Sequence, residues 1–429
     1  MRERRVTIAI AGMGERGRNA YGKELLSMKD RVTVTAVADT DAERLRLAGD
    51  MFGVRDTMRF RSAEEMLSLP KLADAVFVCT QDRQHVSQAV MAMRNGYDVM
   101  LEKPVSPDLD ELRRIVRVQK ETGRRVVVCH VLRYTPFFQI IKRTIESGRL
   151  GDVVSIQAIE NVRYWHHAHS YVRGNWRRTD ETSPMILAKC CHDLDYLVWL
   201  SDKRCERVSS FGSLMYFRPE NAPEGSALRC TGGCRVKDRC PYDAEKIYLT
   251  NPETGILSGN TGWPVDVLAE NPTEEKIRSS LDNGPYGRCV FHSDNDVVDH
   301  QIVNMEMEGG ATLSLTMSAF TSIGGRTVRV MGTLGDLLGD MDENRIRITR
   351  FGEKSEDIDI SALEKDSVGH GGGDRLLVEE FVSLLEGKES VGDTLTTLER
   401  SVESHLVAIA AERSRLEGGR SIEMTSLRG

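Results

Sequence analysis

The twelve residues Val6-Thr-Ile-Ala-Ile-Ala-Gly-Met-Gly-Glu-Arg-Gly17 constrain the fold more than any other stretch of the chain. An apolar run rich in β-branched residues reads as a buried parallel strand, too short to span a membrane. It ends in Gly12-x-Gly14-x-x-Gly17 and enters a helix-compatible segment, residues 18–28. Gly12 suits the tight turn, Gly14 the close approach of a pyrophosphate, and Gly17 the contact of helix with strand. The helix start offers unpaired N–H groups and a positive dipole end to phosphates. A second strand, Val32–Ala38, is followed by Asp39, an acid placed to hydrogen-bond the ribose hydroxyls of a dinucleotide. No arginine follows Asp39 directly, so NAD is expected rather than NADP. Met13 and Arg16 lie inside the turn and join the glycines as cofactor-binding candidates.

Strand and helix patterns then alternate to about residue 130. A helix over Ala42–Phe52 precedes a buried strand at 75–80 and a polar turn at 81–85. A helix at 86–94 stops at Asn95-Gly96, and a strand at 99–101 ends in Glu102-Lys103-Pro104. A helix at 108–121 stops at Gly123, and a strand at 126–129 closes the series. This alternation predicts an α/β doubly wound parallel sheet, a Rossmann domain over residues 1–130. Ligands of such sheets sit at the carboxyl ends of the strands, which places Thr80, His85, Glu102, Lys103 and His130 on one rim beside the nicotinamide half.

After His130 the rhythm changes. A helix is expected at 137–147 and a strand at 153–159. A cap-and-proline pair, Ser183-Pro184, starts a helix running to about residue 200. Strands follow at about 207–217, 299–308, 311–320, 326–331 and 345–351, two of them joined by a Gly309-Gly310 hairpin turn. A glycine-rich turn holding His370 precedes helices at about 374–386 and 395–416. Residues 131–429 are therefore expected to form an α+β domain with a large open, mainly antiparallel sheet.

The net charge of −7, with no long basic run, argues against a nucleic-acid or membrane-surface partner. No apolar stretch approaches the roughly 20 residues that cross a bilayer. The start, Met1-Arg-Glu-Arg-Arg, leads into the first strand without a signal-peptide pattern, so a cytoplasmic enzyme is expected.

The glycine turn, Glu102-Lys103-Pro104, Arg133-Tyr134-x-Pro136 and His192-x-x-Asp195 together resemble the glucose–fructose oxidoreductase/inositol dehydrogenase (Gfo/Idh/MocA) family over essentially the whole chain. The resemblance implies a tightly held nicotinamide cofactor, sugar, inositol or related substrates, and an open sheet carrying a homodimer or homotetramer contact. It also implies that Lys103 lies near the reacting hydroxyl. One departure stands out: the aspartate common in the family four residues before the helix histidine is replaced by Ala188. Lys189, three residues before His192, is expected on the same helix face.

The chemistry expected is hydride transfer between NAD and a secondary hydroxyl of a sugar, cyclitol or glycoside. His192 is the candidate acid/base, since histidine titrates near neutral pH, and Lys103 the partner of the developing alkoxide, with Lys189 nearby. Two alternatives stand beside it: an NAD-dependent glycosidase working by transient oxidation and elimination, and a non-catalytic NAD-sensing protein. Tyr164, His166, His169, Tyr171, Arg173, Trp176 and Arg177 crowd one loop, mixing aromatic faces with polar groups as carbohydrate sites do. In the same loop, His167 with His169 offers a metal-ligand pair as an alternative. Asp294, Asp296 and His300 are weighed as cleft residues or as a plain turn.

Nine cysteines in a cytosolic chain are not expected to form a disulfide framework. Cys230, Cys234 and Cys240 fall within one loop of an insertion, residues 218–298, that has little evident core of its own. With Cys289, or alternatively His292, they are expected to form a structural zinc site pinning that insertion, with unliganded packing or an iron–sulfur cluster as the alternatives.

Overall fold

The computed structural model describes residues 4–363, 371–388 and 394–428. His370, expected in the glycine-rich turn, lies outside them. The first domain is built on β1 (Val6–Ala11), β2 (Val32–Ala38), β3 (Arg59–Phe60), β4 (Ala75–Val78), β5 (Asp98–Leu101) and β6 (Val126–Val128). All pair in parallel, in the order β3-β2-β1-β4-β5-β6. Residues of β4 and β5 are buried throughout, as continuous apolar runs in a doubly covered sheet should be.

Between the strands lie α1 (Tyr21–Ser27), α2 (Ala42–Phe52), α3 (Ala63–Leu67), α4 (His85–Arg94) and α5 (Leu109–Thr122). Local chemistry sets their ends. Asp41 and Asp108 each accept two backbone N–H groups at the start of α2 and α5, and Gly53 and Gly123 end those helices in the left-handed region. The expected helix at residue 18 instead opens as a wide turn, Glu15–Ala20, before α1.

The second domain adds α6 (Pro136–Glu146), α7 (Tyr164–His167), α8 (Met185–Ala188) and α9 (Cys191–Ser201). It continues with α10 (Val265–Leu268), α11 (Glu274–Asn283), α12 (Gly373–Leu385), α13 (Leu398–Leu416) and α14 (Thr425–Arg428). Its nine strands are β7 (Val153–Asn161), β8 (Cys205–Ser213), β9 (His300–Met307), β10 (Thr312–Ser318), β11 (Gly325–Gly332), β12 (Gly335–Asp340), β13 (Arg345–Arg350), β14 (Glu356–Asp359) and β15 (Ile422–Glu423). The sheet order is β14-β13-β12-β11-β7-β10-β9-β8-β15, and β7 with β10 is its single parallel pair. Gly309 and Gly310, at φ of 79° and 85°, turn β9 into β10 as expected.

Three features differ from the sequence reading. The helix expected from Ser183 to about residue 200 is broken into α8 and α9 at Lys189-Cys190, and the Ser183 hydroxyl donates to Asp82 rather than capping α8. The insertion at 218–298 has a core after all, in which Phe217, Tyr242, Tyr248, Leu281, Tyr286 and Phe291 pack together. Finally, α12 lays Leu377, Val378, Phe381 and Val382 in the cluster that covers the sheet face of Ile10, Phe77, Met100 and Val127, so the chain returns to the first domain near its end.

Candidate active site

The glycine turn is shaped for close approach. At Gly12, with φ of 88°, a Cβ would lie 2.5 Å from the Cys79 carbonyl oxygen, and at Gly17 one would lie 1.9 Å from the Gly12 oxygen. At Gly14 the nearest atom would be Arg44 Nη1, 3.9 Å away, so that backbone stays open. The Asp39 carboxylate accepts from Met13 N at 2.6 Å and from Asp41 N at 2.8 Å, which fixes an acid at the tip of β2 beside the turn. The Met13 side chain itself is buried. Gly12, Gly14, Gly17 and Asp39 thus fit a dinucleotide: an open backbone for the pyrophosphate and a carboxylate for the ribose.

Arg16 is committed within the protein. It meets Glu102 at 2.8 Å, Asp374 of α12 at 2.5 Å and the Tyr21 hydroxyl at 2.6 Å. Tyr21 in turn donates to Glu102, whose second oxygen accepts Lys103 N at 2.9 Å. Burial pushes the Glu102 carboxyl up, but Arg16 and Lys103 outweigh it and hold it below its ordinary value. Arg16 and Glu102 therefore lock the glycine turn to the end of β5. His85 is buried as well: Nδ1 faces the Pro104 oxygen at 2.7 Å and Nε2 the Thr80 oxygen at 3.0 Å. It ties the ends of β4 and β5 together. The Thr80 hydroxyl donates to Gln88 at 2.6 Å.

Lys103 reaches across the domain boundary. Its Nζ donates to the Ala188 oxygen at 3.0 Å, so the residue standing where an aspartate was expected offers the lysine a carbonyl. His192, at the start of α9, is 5% exposed, and its ring meets that of His130 edge-on at 5.6 Å between centroids. His130 is fully buried, and burial first, then Arg133, pushes it well below the ordinary histidine value. Behind it, Asp195 takes Arg133 in a two-pronged pair at 2.6 and 2.7 Å.

Because the helix breaks at Lys189, that residue does not share a helix face with His192 as expected. Lys189 Nζ meets Glu160 of β7 at 3.2 Å. Arg326 of β11 completes this network, 2.9 Å from Glu160 and 2.7 Å from Asp193. Burial pushes the Asp193 carboxyl up to about 6 despite Arg326.

A cleft of about 300 Å³ opens beside these groups, lined by Lys189, Glu160, Arg326, His166 and the indoles of Trp165 and Trp263. Of the loop candidates, His166 lies on this cleft. Trp176 bonds Asp82 at 3.1 Å, and Tyr171 packs between His166 and Trp176. Tyr164 packs on Tyr242. Others serve the scaffold. Arg173 is buried and donates to the Arg288 and Tyr242 oxygens, His169 stacks on Tyr286 and bonds Tyr248, and Arg177 pairs with Asp294 and Glu181. Asp296 holds Thr179, and His300 faces Asp299.

The expected zinc site is not supported. Cys230, Cys234, Cys240 and Cys289 border one small cavity with Arg173, but among the described residues no group of three or more His, Cys, Asp or Glu is arranged to hold a metal. Neither does the His167–His169 pair belong to such a group among the described residues. Burial pushes the Cys230, Cys240 and Cys289 thiols up, as for thiols packed in a core. His292 faces the Ser226 hydroxyl at 3.2 Å.

Glu160, Asp193, Arg326 and Trp263 join the site without having been expected there from the sequence. Glu160 alternates correctly for the inner face of β7, a signal that was legible. Trp263 sits some 100 residues from the loop it joins, and nothing local announces the meeting.

Comparisons agree with this architecture. The sequence model of the oxidoreductase family with NAD-binding Rossmann fold (Gfo/Idh/MocA) matches residues 6–130, and that of its C-terminal alpha/beta domain matches residues 142–424. A putative oxidoreductase of Bacillus subtilis, YteT, is 26% identical over 87% of this chain and 88% of its own length. An inositol 2-dehydrogenase of Cereibacter sphaeroides is 30% identical over 46% of this chain and 54% of its own. Among solved structures, an inositol dehydrogenase homolog from Azotobacter vinelandii complexed with NADH and myo-inositol superposes with a TM-score of 0.68 at 16% identity, covering 98% of each chain. An Agrobacterium radiobacter oxidoreductase in complex with NAD+, L-tartaric acid and magnesium gives 0.68 at 16%, over 99% of this chain and 100% of its own. In the described residues no helix is long and apolar enough to cross a membrane. With its glycine turn, its two sheets and both family domains matched, the chain belongs to the Gfo/Idh/MocA oxidoreductase family.

Proposed function

We propose that the protein is an NAD-dependent dehydrogenase acting on a secondary hydroxyl of a sugar, cyclitol or glycoside. The observation that supports this best is the meeting of Lys103 with Ala188 at 3.0 Å, which brings the rim of the parallel sheet against the segment bearing Lys189 and His192. Gly12, Gly14, Gly17 and Asp39 would hold the cofactor, which when bound supplies a hydride acceptor or donor. Asp39 favours NAD, because its carboxylate repels a 2′-phosphate. Lys103 spends one N–H on Ala188 and keeps two to place on a substrate oxygen as negative charge develops there. His192 takes the hydroxyl proton. The neutral His130 behind it adds no opposing positive charge.

The test is NADH formation from a panel of cyclitols and sugars. Lys103→Ala and His192→Ala are each expected to keep NAD binding and lose turnover. Retained turnover in both overturns the site.

We further propose a homo-oligomer formed through the open face of the nine-stranded sheet. Phe211, Ile302, Thr316 and Ile159 stand in one cross-strand row, and the three apolar ones are 54%, 38% and 41% exposed. Such exposed apolar groups in one row on a sheet face suit a partner surface. A reducing, cytoplasmic setting accords with nine free thiols.

A further inference from the structure

The cleft beside Lys189 has a composition that the dehydrogenase reading does not use. Its aromatic wall comes from two distant segments. Trp165 belongs to α7, and Trp263 belongs to the 218–298 insertion. Their rings lie 4.9 Å apart, and His166 meets Trp263 edge-on at 4.8 Å. Trp263 keeps 37% of its surface exposed and lines the cleft, so part of the residue is left open to a ligand.

The polar wall is balanced. Arg163, Lys189 and Arg326 line it with Glu160, Glu253 and Asp342, three cations against three acids. Arg163 pairs with Glu253, and Lys189 and Arg326 with Glu160. A balanced, hydrogen-bonding wall facing aromatic rings suits a neutral polyhydroxylated ring better than an anion. The site is also built under constraint. Arg163 has a φ of 67°, unusual for a side chain of its size, and Gly324 leaves the space its side chain fills, since a Cβ there would lie 2.9 Å from Arg163 Nε.

Position decides the role. The cleft is lined at one place by Lys189, next in sequence to the Ala188 that Lys103 grips, and at another by Glu253 and Trp263 of the insertion. We propose that Trp263, Trp165 and His166 form a carbohydrate subsite adjoining the reaction point, which holds the neighbouring ring of a glycosidically linked substrate. The preferred substrate class is then a disaccharide or glycoside rather than a free monosaccharide or cyclitol. This rests on the dehydrogenase reading for its chemistry, while the subsite stands on its own geometry.

The experiment uses the full chain loaded with NAD, a panel of disaccharides, the matching monosaccharides and myo-inositol, with NADH formation and calorimetric binding as readouts. The wild type is expected to show a kcat/KM for its best disaccharide about tenfold or more above the matching monosaccharide, the worth of one well-packed aromatic anchor. Trp263→Ala is expected to collapse that ratio towards one through KM, and Trp263→Phe to restore most of it. Equal rates on both classes in the wild type, or a ratio unchanged in Trp263→Ala, overturns the subsite. If no sugar yields NADH, the dehydrogenase reading fails. Calorimetric disaccharide binding lost in Trp263→Ala would then still sustain the subsite, and absence of that binding would overturn it.

Discussion

Arg326→Met isolates the buried charge network on which the cleft is built. The guanidinium holds Asp193 at 2.7 and 3.3 Å and Glu160 at 2.9 Å, with side-chain exposures of 9% for the arginine, 0% for Asp193 and 1% for Glu160. Methionine fills much of the same volume but takes the cation from Asp193 and leaves Glu160 with Lys189 alone. Breaking a buried pair on one side costs about 3–5 kcal/mol. For a domain of this size that corresponds to a fall in Tm of roughly 5–8 °C.

The loss depends on pH with a defined sign. Asp193 titrates at about 6 in the folded chain against 3.8 for the free side chain, because burial outweighs Arg326. A carboxyl raised on folding binds its proton more tightly in the native state. Its contribution to stability is therefore present below the unfolded value and lost as pH rises through the folded one. Removing Arg326 raises Asp193 further, so the deficit grows from pH 5 to pH 8 and shrinks on acidification. Replacing both acids as well, in Arg326→Met/Asp193→Asn/Glu160→Gln, should recover most of the loss. Thermal unfolding followed by circular dichroism reads all of this. An Arg326→Met chain with wild-type Tm at pH 8, or a deficit that deepens on acidification, refutes the reasoning.

Other perturbations bear on separate parts of the molecule. Gly17→Ala places a methyl group 1.9 Å from the Gly12 oxygen, and is expected to weaken NAD binding by about a hundredfold or more, measured by fluorescence titration. Asp39→Ser removes the acceptor of two turn N–H groups, and is expected to weaken NAD about tenfold while improving the relative affinity for NADP. Ile302→Asp puts a charge in the exposed apolar row, and is expected to shift an oligomer to monomer by light scattering with NAD binding kept.

Much of this architecture was legible because local chemistry and tertiary fate agree. The glycine turn, Gly123 after α5 and the Gly309-Gly310 hairpin each need a backbone that few residues supply, so sequence alone points to them. The break at Lys189-Cys190 was not legible, since Leu187-Ala-Lys-Cys-Cys-His carries no glycine or proline to announce it. β12, Gly-Asp-Leu-Leu-Gly-Asp, has little strand propensity and forms because β11 and β13 flank it.

Among site candidates, polar residues were easy to find and hard to assign. Arg16, His85 and Arg173 each look free to bind a ligand in sequence, yet each is held by partners 19 or more residues away: Glu102 and Asp374, Pro104, and Arg288. Lys103 and His166 stayed at the site, because their segments end there. The cysteines illustrate the same limit, since spacing brought four thiols to one cavity without the arrangement a metal requires.

The most direct measurement is a crystal structure of the protein with NADH and a polyol substrate bound. The nicotinamide ring is expected at the rim between the ends of β4 and β5, its C4 about 3–3.5 Å from the carbon to be oxidised, and Lys103 Nζ within hydrogen-bond reach of that carbon's oxygen. A cofactor seated elsewhere, or a polyol held with Lys103 and His192 both turned away from it, would refute the proposed site.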